Sequence, residues 1–564
     1  MQTEREERLI GRILVNAGII SEEELEKALA HQKKTGDFLA ASVVKLKIAK
    51  EEDVFKILAK QLGVEHINLK KTEINPEAVK KVPAKFALHY KLMPFAVEDG
   101  VLEIALGDPL NVQVMDDLKM LLNVDVRPYL ANEDSIMDAI RNTYGLGAGT
   151  VEGLLKQEEA PAEEVSASVD VEEEAADSSI INFVNQILTR AVEERATDIH
   201  IEPFEDDITV RYRIDGLLYN TPLPSGIKQF QAAIISRIKV MASLNIAEKR
   251  LPQDGRILFK HKKQEYDLRV SILPTPHGES IDLRVLSKNI IYSLKDLGLS
   301  DRDSKILEQW ITAPNGIIFV TGPTGSGKTT TLYTCLQKLN TPDRKIITIE
   351  DPVEYMIKGI TQIQVHSKID LTFGRGLRSI LRHDPDVILI GEVRDVETAE
   401  IAIRSSLTGH LVFSTLHTND AASGVTRLLD MGIEAFLIAS TINGIIAQRL
   451  VRVICNKCKR EVPIDKKVLK VFGAKEEDAG IKFYQGKGCD ECLHTGYKGR
   501  TAIYEFLVIS DEIRELISSH ASARQIKEEA VKSEKMHTLK MDGWEKIKSG
   551  ITTPEEVLRV AFGE

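Results

Sequence analysis

Cysteine is scarce in this chain, five in 564 residues. That is too few for a disulfide framework and points to a reducing compartment. No uninterrupted apolar stretch approaches the roughly 20 residues needed to cross a bilayer. The first residues, Met1-Gln2-Thr3-Glu4-Arg5-Glu6-Glu7, lack the apolar segment of a secretory signal. An excess of positive charge is missing as well. Lys and Arg number 74 against 85 Asp and Glu, a net −11, which argues against a general nucleic-acid coat while leaving room for a local basic patch. What is present is an ordinary globular balance, 43% hydrophobic and 28% charged. At about 150 residues per domain the length predicts three to five domains. The expectation is a soluble, cytoplasmic, multidomain protein.

The acidity is uneven. Between Val151 and Asp177 ten acidic residues face one lysine, with no sustained helical or strand period, so residues 148–177 read as a disordered linker. Without its net −9 the rest of the chain is near −2. The acidity therefore belongs mostly to a tether.

Residues 1–62 carry an internal repeat at an offset of 29. Ile10, Leu14, Val15, Ile19, Leu25, Leu29 and Gln32 match Leu39, Val43, Val44, Ile48, Val54, Leu58 and Gln61, each copy a short apolar helix, a turn and an amphipathic helix. Ser21 and Glu24 form a capping box. Residues 63–147 read as a small α/β domain with a hairpin turning at Asp99-Gly100. Residues 178–288 read as α+β. Ile180, Ile181, Val184, Ile187, Leu188, Ala191 and Val192 trace a helix stripe, and Ile208, Val210, Tyr212 and Ile214 alternate with Arg211 and Arg213 before an Asp215-Gly216 turn. Over 289–448 strands alternate with helices, the mark of a parallel doubly wound sheet. Residues 449–564 hold a cysteine cluster in mostly helical sequence.

The chemistry begins at Gly322-Pro323-Thr324-Gly325-Ser326-Gly327-Lys328-Thr329, followed by Thr330. It fits G-x-x-x-x-G-K-[ST] between an apolar strand and a helix. The glycines permit a tight loop whose amides point at phosphate oxygens. Lys328 would reach the β- and γ-phosphates of ATP, and the Thr329 hydroxyl would ligate Mg²⁺. Two apolar runs end in carboxylates, Ile346–Glu350-Asp351 and Val387–Gly391-Glu392, and a third leads to His417 with His410 ahead of it. Buried strands read as continuous apolar runs, and ligands of open α/β sheets sit at the carboxyl ends of strands, so these groups should converge on the phosphates.

These segments resemble the Walker A, Asp box (Ile349-Glu350-Asp351-Pro352-Val353-Glu354-Tyr355), Walker B (Gly391-Glu392-Val393-Arg394-Asp395) and His box (Leu416-His417-Thr418-Asn419-Asp420) of the secretion ATPase superfamily. Ala196–Pro203 and Leu251–Arg256 resemble its N-terminal subdomain. The likeness runs from about Ser178 to the C-terminus and narrows to the type IV pilus assembly ATPases (PilB) and the type II secretion ATPases (GspE). It implies a RecA-like P-loop ATPase core behind a PAS-like α+β subdomain. It also implies a homohexameric ring acting through an inner-membrane platform protein, with ATP sites between the two subdomains. By position it gives Glu392 the Walker B role and makes Glu350 the preferred general base, with Glu354 beside it. His417 would sense the γ-phosphate, and Arg269 and Arg284 would complete the site on closure. Pilus extension is the first reading, with type II secretion the near alternative and a nucleic-acid motor the less favoured one. No nucleic-acid partner is expected.

Cys455-x-x-Cys458 and Cys489-x-x-Cys492 supply four thiolates, the set a closed, structural Zn²⁺ site wants. Redox cysteines or an iron–sulfur cluster are the alternatives. Cys335, on the helix after the phosphate loop, reads as a buried core residue. The N-terminal repeat resembles the cyclic di-GMP-binding module at the head of some family members. Its first copy keeps Gly11 and Gly18, but Arg8 is one residue out of register, and the second copy has Ala40 and Lys47 where glycines belong. A docking or structural role is expected there ahead of cyclic di-GMP binding.

Overall fold

The computed structural model describes residues 11–35, 39–46, 48–49, 51–107, 125–145, 169–224, 226–262, 264–287, 293–463, 466–472, 481–533 and 536–561. They divide into two units, Met1–Leu286 and Ser287–Glu564.

In the first unit the two copies of the repeat have the same local structure. The Ala17 amide donates to Ile13 O and the Ile19 amide to Leu14 O, both at 3.0 Å. Twenty-nine residues on, Leu46 donates to Ser42 O at 3.0 Å and Ile48 to Val43 O at 3.1 Å. Each turn leads into an amphipathic helix, Glu22–Thr35 and Glu51–Leu62, with Leu14, Val43 and Leu58 fully buried. The first helix starts on the expected capping box. The Glu24 amide donates to Ser21 Oγ at 3.3 Å, and the Ser21 amide donates to Glu24 Oε2 at 2.8 Å. Arg8, Ile10 and Lys47 lie outside the described residues.

The small α/β domain has strands β1 (Glu65–His66), β2 (Leu92–Glu98), β3 (Val101–Leu106) and β4 (Val126–Leu130), ordered β1-β4-β3-β2. The β2–β3 hairpin turns where expected, with φ of +48° at Asp99 and +83° at Gly100. Leu130 of β4 belongs to the core of the helical repeat, so the modules expected to part at residue 62 share a core.

The expected linker is shorter than its composition suggested. Its residues up to 168 lie outside the described ones, but 169–177 open the helix Val169–Glu193. Alanines and glutamates are good helix formers. Once the buried stripe of Ile180, Val184, Ile187, Leu188 and Ala191 anchors the C-terminal half, the preceding residues extend the helix. Strands β5 (Ala196–Pro203), β6 (Ile208–Ile214), β7 (Leu217–Thr221), β8 (Gln253–His261), β9 (Gln264–Thr275) and β10 (Gly278–Ser287) form one sheet, ordered β7-β6-β5-β10-β9-β8. The period-two pattern holds in β6. Ile208, Val210, Tyr212 and Ile214 are buried, while Arg211 and Arg213 face the other way.

The second unit contains β11 (Gly316–Thr321), β12 (Ile346–Glu350), β13 (Thr361–Gln364), β14 (Val387–Ile390), β15 (Leu411–Leu416), β16 (Ile442–Ile454), β17 (Lys459–Val462), β18 (Phe483–Gly486) and β19 (Tyr497–Val508). Its main sheet is ordered β13-β12-β14-β15-β11-β16-β19. Six strands are parallel and β19 is antiparallel to β16. One face packs Trp310, Tyr333 and Leu336, and the other packs Leu377, Ile403, Val425 and Ile438, so the sheet is wound on both sides as expected. The boundary expected at 448/449 falls inside β16, and the region beyond it carries strands as well as the expected helices. β16 runs on to Ile454, and β19 returns to pair with it from Gly444↔Val508 to Ile454↔Tyr497. The excursion between them carries the cysteines and the β17–β18 hairpin.

Candidate functional site

The sheet order decides which chain ends meet. Parallel pairing sets Ile349 beside Ile390, Ile390 beside Ser414, and Thr321 beside Leu416. The carboxyl ends of β12, β14, β15 and β11 therefore stand in one row, and Glu350, Glu392, His417 and the phosphate loop follow from them in that order.

Gly322, Gly325 and Gly327 have φ of +146°, +79° and +90°, a region that side chains with a Cβ rarely enter. A Cβ on Gly322 would lie 2.5 Å from Gln448 O, and one on Gly327 would lie 2.8 Å from Gln448 Nε2. The loop is thus held against the middle of β16. Thr331, on the helix that follows, donates to Gln448 Oε1 at 2.8 Å. Buried Arg449 reaches past the loop to donate to Asn419 O at 2.8 Å. Sequence reading missed this pair, which it placed at a domain boundary.

The helix Lys328–Leu339 begins at Gly327 with no side-chain cap, leaving its N-terminus to the loop. Lys328 Nζ donates to Gly322 O at 2.8 Å and Pro323 O at 3.1 Å. Burial holds the Lys328 ammonium below its ordinary pKa, with Glu392 opposing and Arg449 assisting. Pro323, Thr324, Gly325 and Thr329 are exposed, and Thr330 is half-buried. The buried Ser326 hydroxyl finds no hydrogen-bond partner among the described residues.

Glu392 is nearly buried at the end of β14. Its oxygens meet Arg394 Nη2 at 2.6 Å and His417 Nε2 at 3.3 Å. Thr415 and Ser414 donate to Gly391 O and Ile390 O, each at 2.8 Å, and lock β15 to β14. The Thr418 amide donates to Thr321 Oγ1 at 2.8 Å, so the histidine loop is pinned to the residue before the phosphate loop. His410 lies at the other end of β15, where its Nδ1 meets Ser405 O at 2.8 Å. It is not brought to the site.

Glu350 is more enclosed than a residue awaiting water. Its carboxylate accepts from Thr348 Oγ1 at 2.5 Å, from Gln362 Nε2 at 3.3 Å and from the Tyr333 hydroxyl. Burial raises its pKa, against these three donors. The sign was in the sequence, since Thr348 lies two residues earlier on the same strand face. In the first unit, half-buried Arg269 is on β9, cross-strand from Arg256. Arg284 on β10 donates to Asp198 Oδ1 at 3.2 Å.

The four cysteines come together. Cys455–Cys489 and Cys458–Cys492 are 3.8 Å apart and Cys489–Cys492 3.7 Å, with all four sulfurs within 4.8 Å of one another. A tetrahedron of sulfurs about 2.3 Å from a central Zn²⁺ has edges of about 3.8 Å, so the donor set fits that ion. The amides of Cys489 and Gly496 donate to Cys492 Sγ at 3.2 and 3.3 Å. Burial works to raise the Cys492 thiol, but these amides outweigh it and bring it to about 7, while burial pushes Cys489 up to about 12. A Cβ on Gly486 would lie 2.0 Å from Gly496 O, so this close crossing requires glycine. Cys335 is fully buried, and burial pushes its thiol up to about 12.

A family model described as "Type II/IV secretion system protein" matches residues 173–559, and an MshEN domain model matches 62–150. The second match falls on the small α/β domain rather than on the helical repeat. The type IV pilus assembly ATPase PilB of Myxococcus xanthus is 42% identical over 557 residues, covering 97% of this chain and 98% of that protein. The type II secretion system protein E of Xanthomonas campestris is 42% identical over 572 residues, covering 99% of each. Among solved structures, the Legionella pneumophila ATPase DotB aligns with a TM-score of 0.50 at 24% identity, covering 68% of this chain and 96% of that one. That likeness is one of fold, and it agrees with the RecA-like core.

Proposed function

The chain belongs to the Type II/IV secretion system protein family and is an ATPase of that family, and from that premise we propose that it is the motor of type IV pilus extension. It would couple ATP hydrolysis to pilin assembly as a homohexamer acting on an inner-membrane platform protein. No helix among the described residues is long and apolar enough to cross a membrane, so attachment to the membrane would come through that partner. The observation that carries the reading is the row of phosphate loop, Glu392–His417 pair and Asp box at adjacent strand ends, in a chain similar over nearly its whole length to a pilus assembly ATPase.

In this reading the amides of Gly322–Thr330 cradle the phosphates. Lys328 exchanges its bonds to Gly322 O and Pro323 O for β- and γ-phosphate oxygens. Thr329 and Glu392 would hold Mg²⁺, which would supply positive charge against the charge that develops on the phosphates. Arg394 and His417 fix the Glu392 carboxylate, leaving His417 half-exposed toward a γ-phosphate. Glu350 takes a proton from the attacking water, its three donors leaving acceptor capacity on the carboxylate. Arg269 and Arg284 come to the nucleotide on closure, Arg284 by leaving Asp198. Zn²⁺ on the four cysteines is structural, because four thiolates leave no open position. The helical repeat serves docking.

The equal identity of the Xanthomonas protein favours a second reading, the type II secretion motor. A deletion strain scored for surface pili and for exoprotein secretion separates them. Loss of pili with secretion intact is expected, and loss of secretion with pili intact would transfer the protein to the second role.

A further inference from the structure

Tyr333 lies five residues after Lys328 on Lys328–Leu339, the helix that follows the phosphate loop, and it is 1% exposed. Its hydroxyl donates to Glu350 Oε2 and accepts the Glu354 amide at 3.3 Å and Gln362 Nε2 at 3.4 Å. Tyr355 packs edge-on against its ring, centroids 4.7 Å apart. One phenol thus bonds the first Asp-box carboxylate and the backbone of the last acidic residue of that box, Glu354. A buried tyrosine that only filled space would need one partner for its oxygen. This one has three, of which two are in the Asp box and the third, Gln362, itself bonds Glu350.

We propose that Tyr333 is a positioning residue that ties the Asp box to the phosphate-loop helix, so that the placement of Glu350 and Glu354 follows the loop as it closes on nucleotide. The inference rests on the ATPase reading above. Glu350 has no rigid tie to the loop through its own strand, because β12 and β11 are separated by β14 and β15. The bond through Tyr333 spans that gap directly. Burial and the neighbouring Glu350 keep the phenol far above its ordinary pKa, so it remains a donor wherever the enzyme works.

The titratable groups that face Glu350 are Tyr333 and Glu354, and its neutral donors are Thr348 and Gln362. Removing the Tyr333 hydroxyl takes away a bond that favours the ionised carboxylate and leaves the repulsion from Glu354. The Glu350 pKa then rises, and the acid limb of the rate profile moves to higher pH.

The test is Tyr333→Phe in the full-length chain, which keeps the ring and its packing. The expected result is a fall of about tenfold or more in kcat for MgATP, with KM within about twofold and the acid limb moved up by about one pH unit. In a double-mutant cycle with Glu350→Gln, Tyr333→Phe should add little further loss, since the two act as one unit. An unchanged kcat and pH profile, or fully additive losses in the cycle, would overturn the proposal. Loss of the cooperative unfolding transition in Tyr333→Phe would also overturn it, by assigning the hydroxyl to the fold alone. A wild-type chain without MgATP hydrolysis would sink the ATPase reading itself and the inference with it, a result distinct from an active wild type matched by its variant.

Discussion

The phosphate loop and the cysteine knuckle are both glycine-bearing turns attached to the same seven-stranded sheet, yet their polar groups are used in opposite ways. In the knuckle the sulfurs face one another at tetrahedral spacing, and the amides of Cys489 and Gly496 are directed at Cys492 Sγ. The four sulfurs converge on the position of one ion, and the amides support one of those sulfurs. Among the described residues, Lys328 bonds only the phosphate loop's own carbonyls, the helix N-terminus has no side-chain cap, and the buried Ser326 hydroxyl has no partner. A structural site satisfies itself, whereas a site for a passing substrate keeps donors available and accepts the cost in stability.

The largest effect that could break this contrast is on turnover. Lys328→Ala, or Glu392→Gln, should lower phosphate release from ATP at least about 100-fold, with a melting temperature within about 2 °C of wild type. Neither side chain is a core filler, since Lys328 is half-buried and Glu392 pairs with the mostly exposed Arg394. A variant retaining a tenth of the activity, or one that melts well below wild type, would mean that the loop's polar groups serve the fold.

Removing the ion from the knuckle should do the reverse. Cys458→Ser, or stripping Zn²⁺ with a chelator, should release one zinc per chain and lower the melting temperature by about 5–10 °C. Hydrolysis measured below the transition should stay within about threefold of wild type. The knuckle joins the end of β16 to the start of β19, where Arg452 stacks on Tyr497 at 4.0 Å and pairs with Glu556 at 2.7 Å. Its loss should therefore loosen the C-terminal helices first. Hydrogen exchange that rises around the phosphate loop instead would erase the distinction between the two sites.

The same contrast explains what could be read before the fold was seen. The phosphate loop, the Cys-x-x-Cys pairs and the Asp-Gly turns are contiguous, because their chemistry needs neighbouring backbone atoms, so eight or four residues suffice to declare them. Gln448, Arg449 and Tyr333 act through packing and hydrogen bonds to segments 17 to 126 residues away, and no local pattern marks them. The boundary at 448 was misplaced for a related reason. A strand on a sheet's flank is identified by its partner, and β19 lies some forty residues beyond the end of β16. Glu350 shows the limit of reasoning from a motif. Its position at a strand end pointed to the phosphates and Thr348 was a local sign of a bond, but only the surroundings reveal that Tyr333 and Gln362 also donate to its carboxylate.

The smallest effect tests the contrast most sharply. Ser326→Ala deletes a hydroxyl that is 3% exposed and bonds nothing among the described residues. At most buried positions, losing a hydroxyl costs stability because its partner is left unsatisfied. Here no partner is lost and a desolvated polar group is removed, so the folded chain should gain up to about 1 kcal/mol, read as a melting temperature raised by about 2–4 °C. Nucleotide binding should move the other way. If the hydroxyl is held for a phosphate oxygen, its loss weakens MgATP binding by about five- to tenfold, as expected for one neutral hydrogen bond to a charged acceptor. Titration of a fluorescent ATP analogue against both proteins reads this directly. A destabilised Ser326→Ala with unchanged affinity would show that the loop satisfies itself as the knuckle does, and the contrast between the two sites would fall.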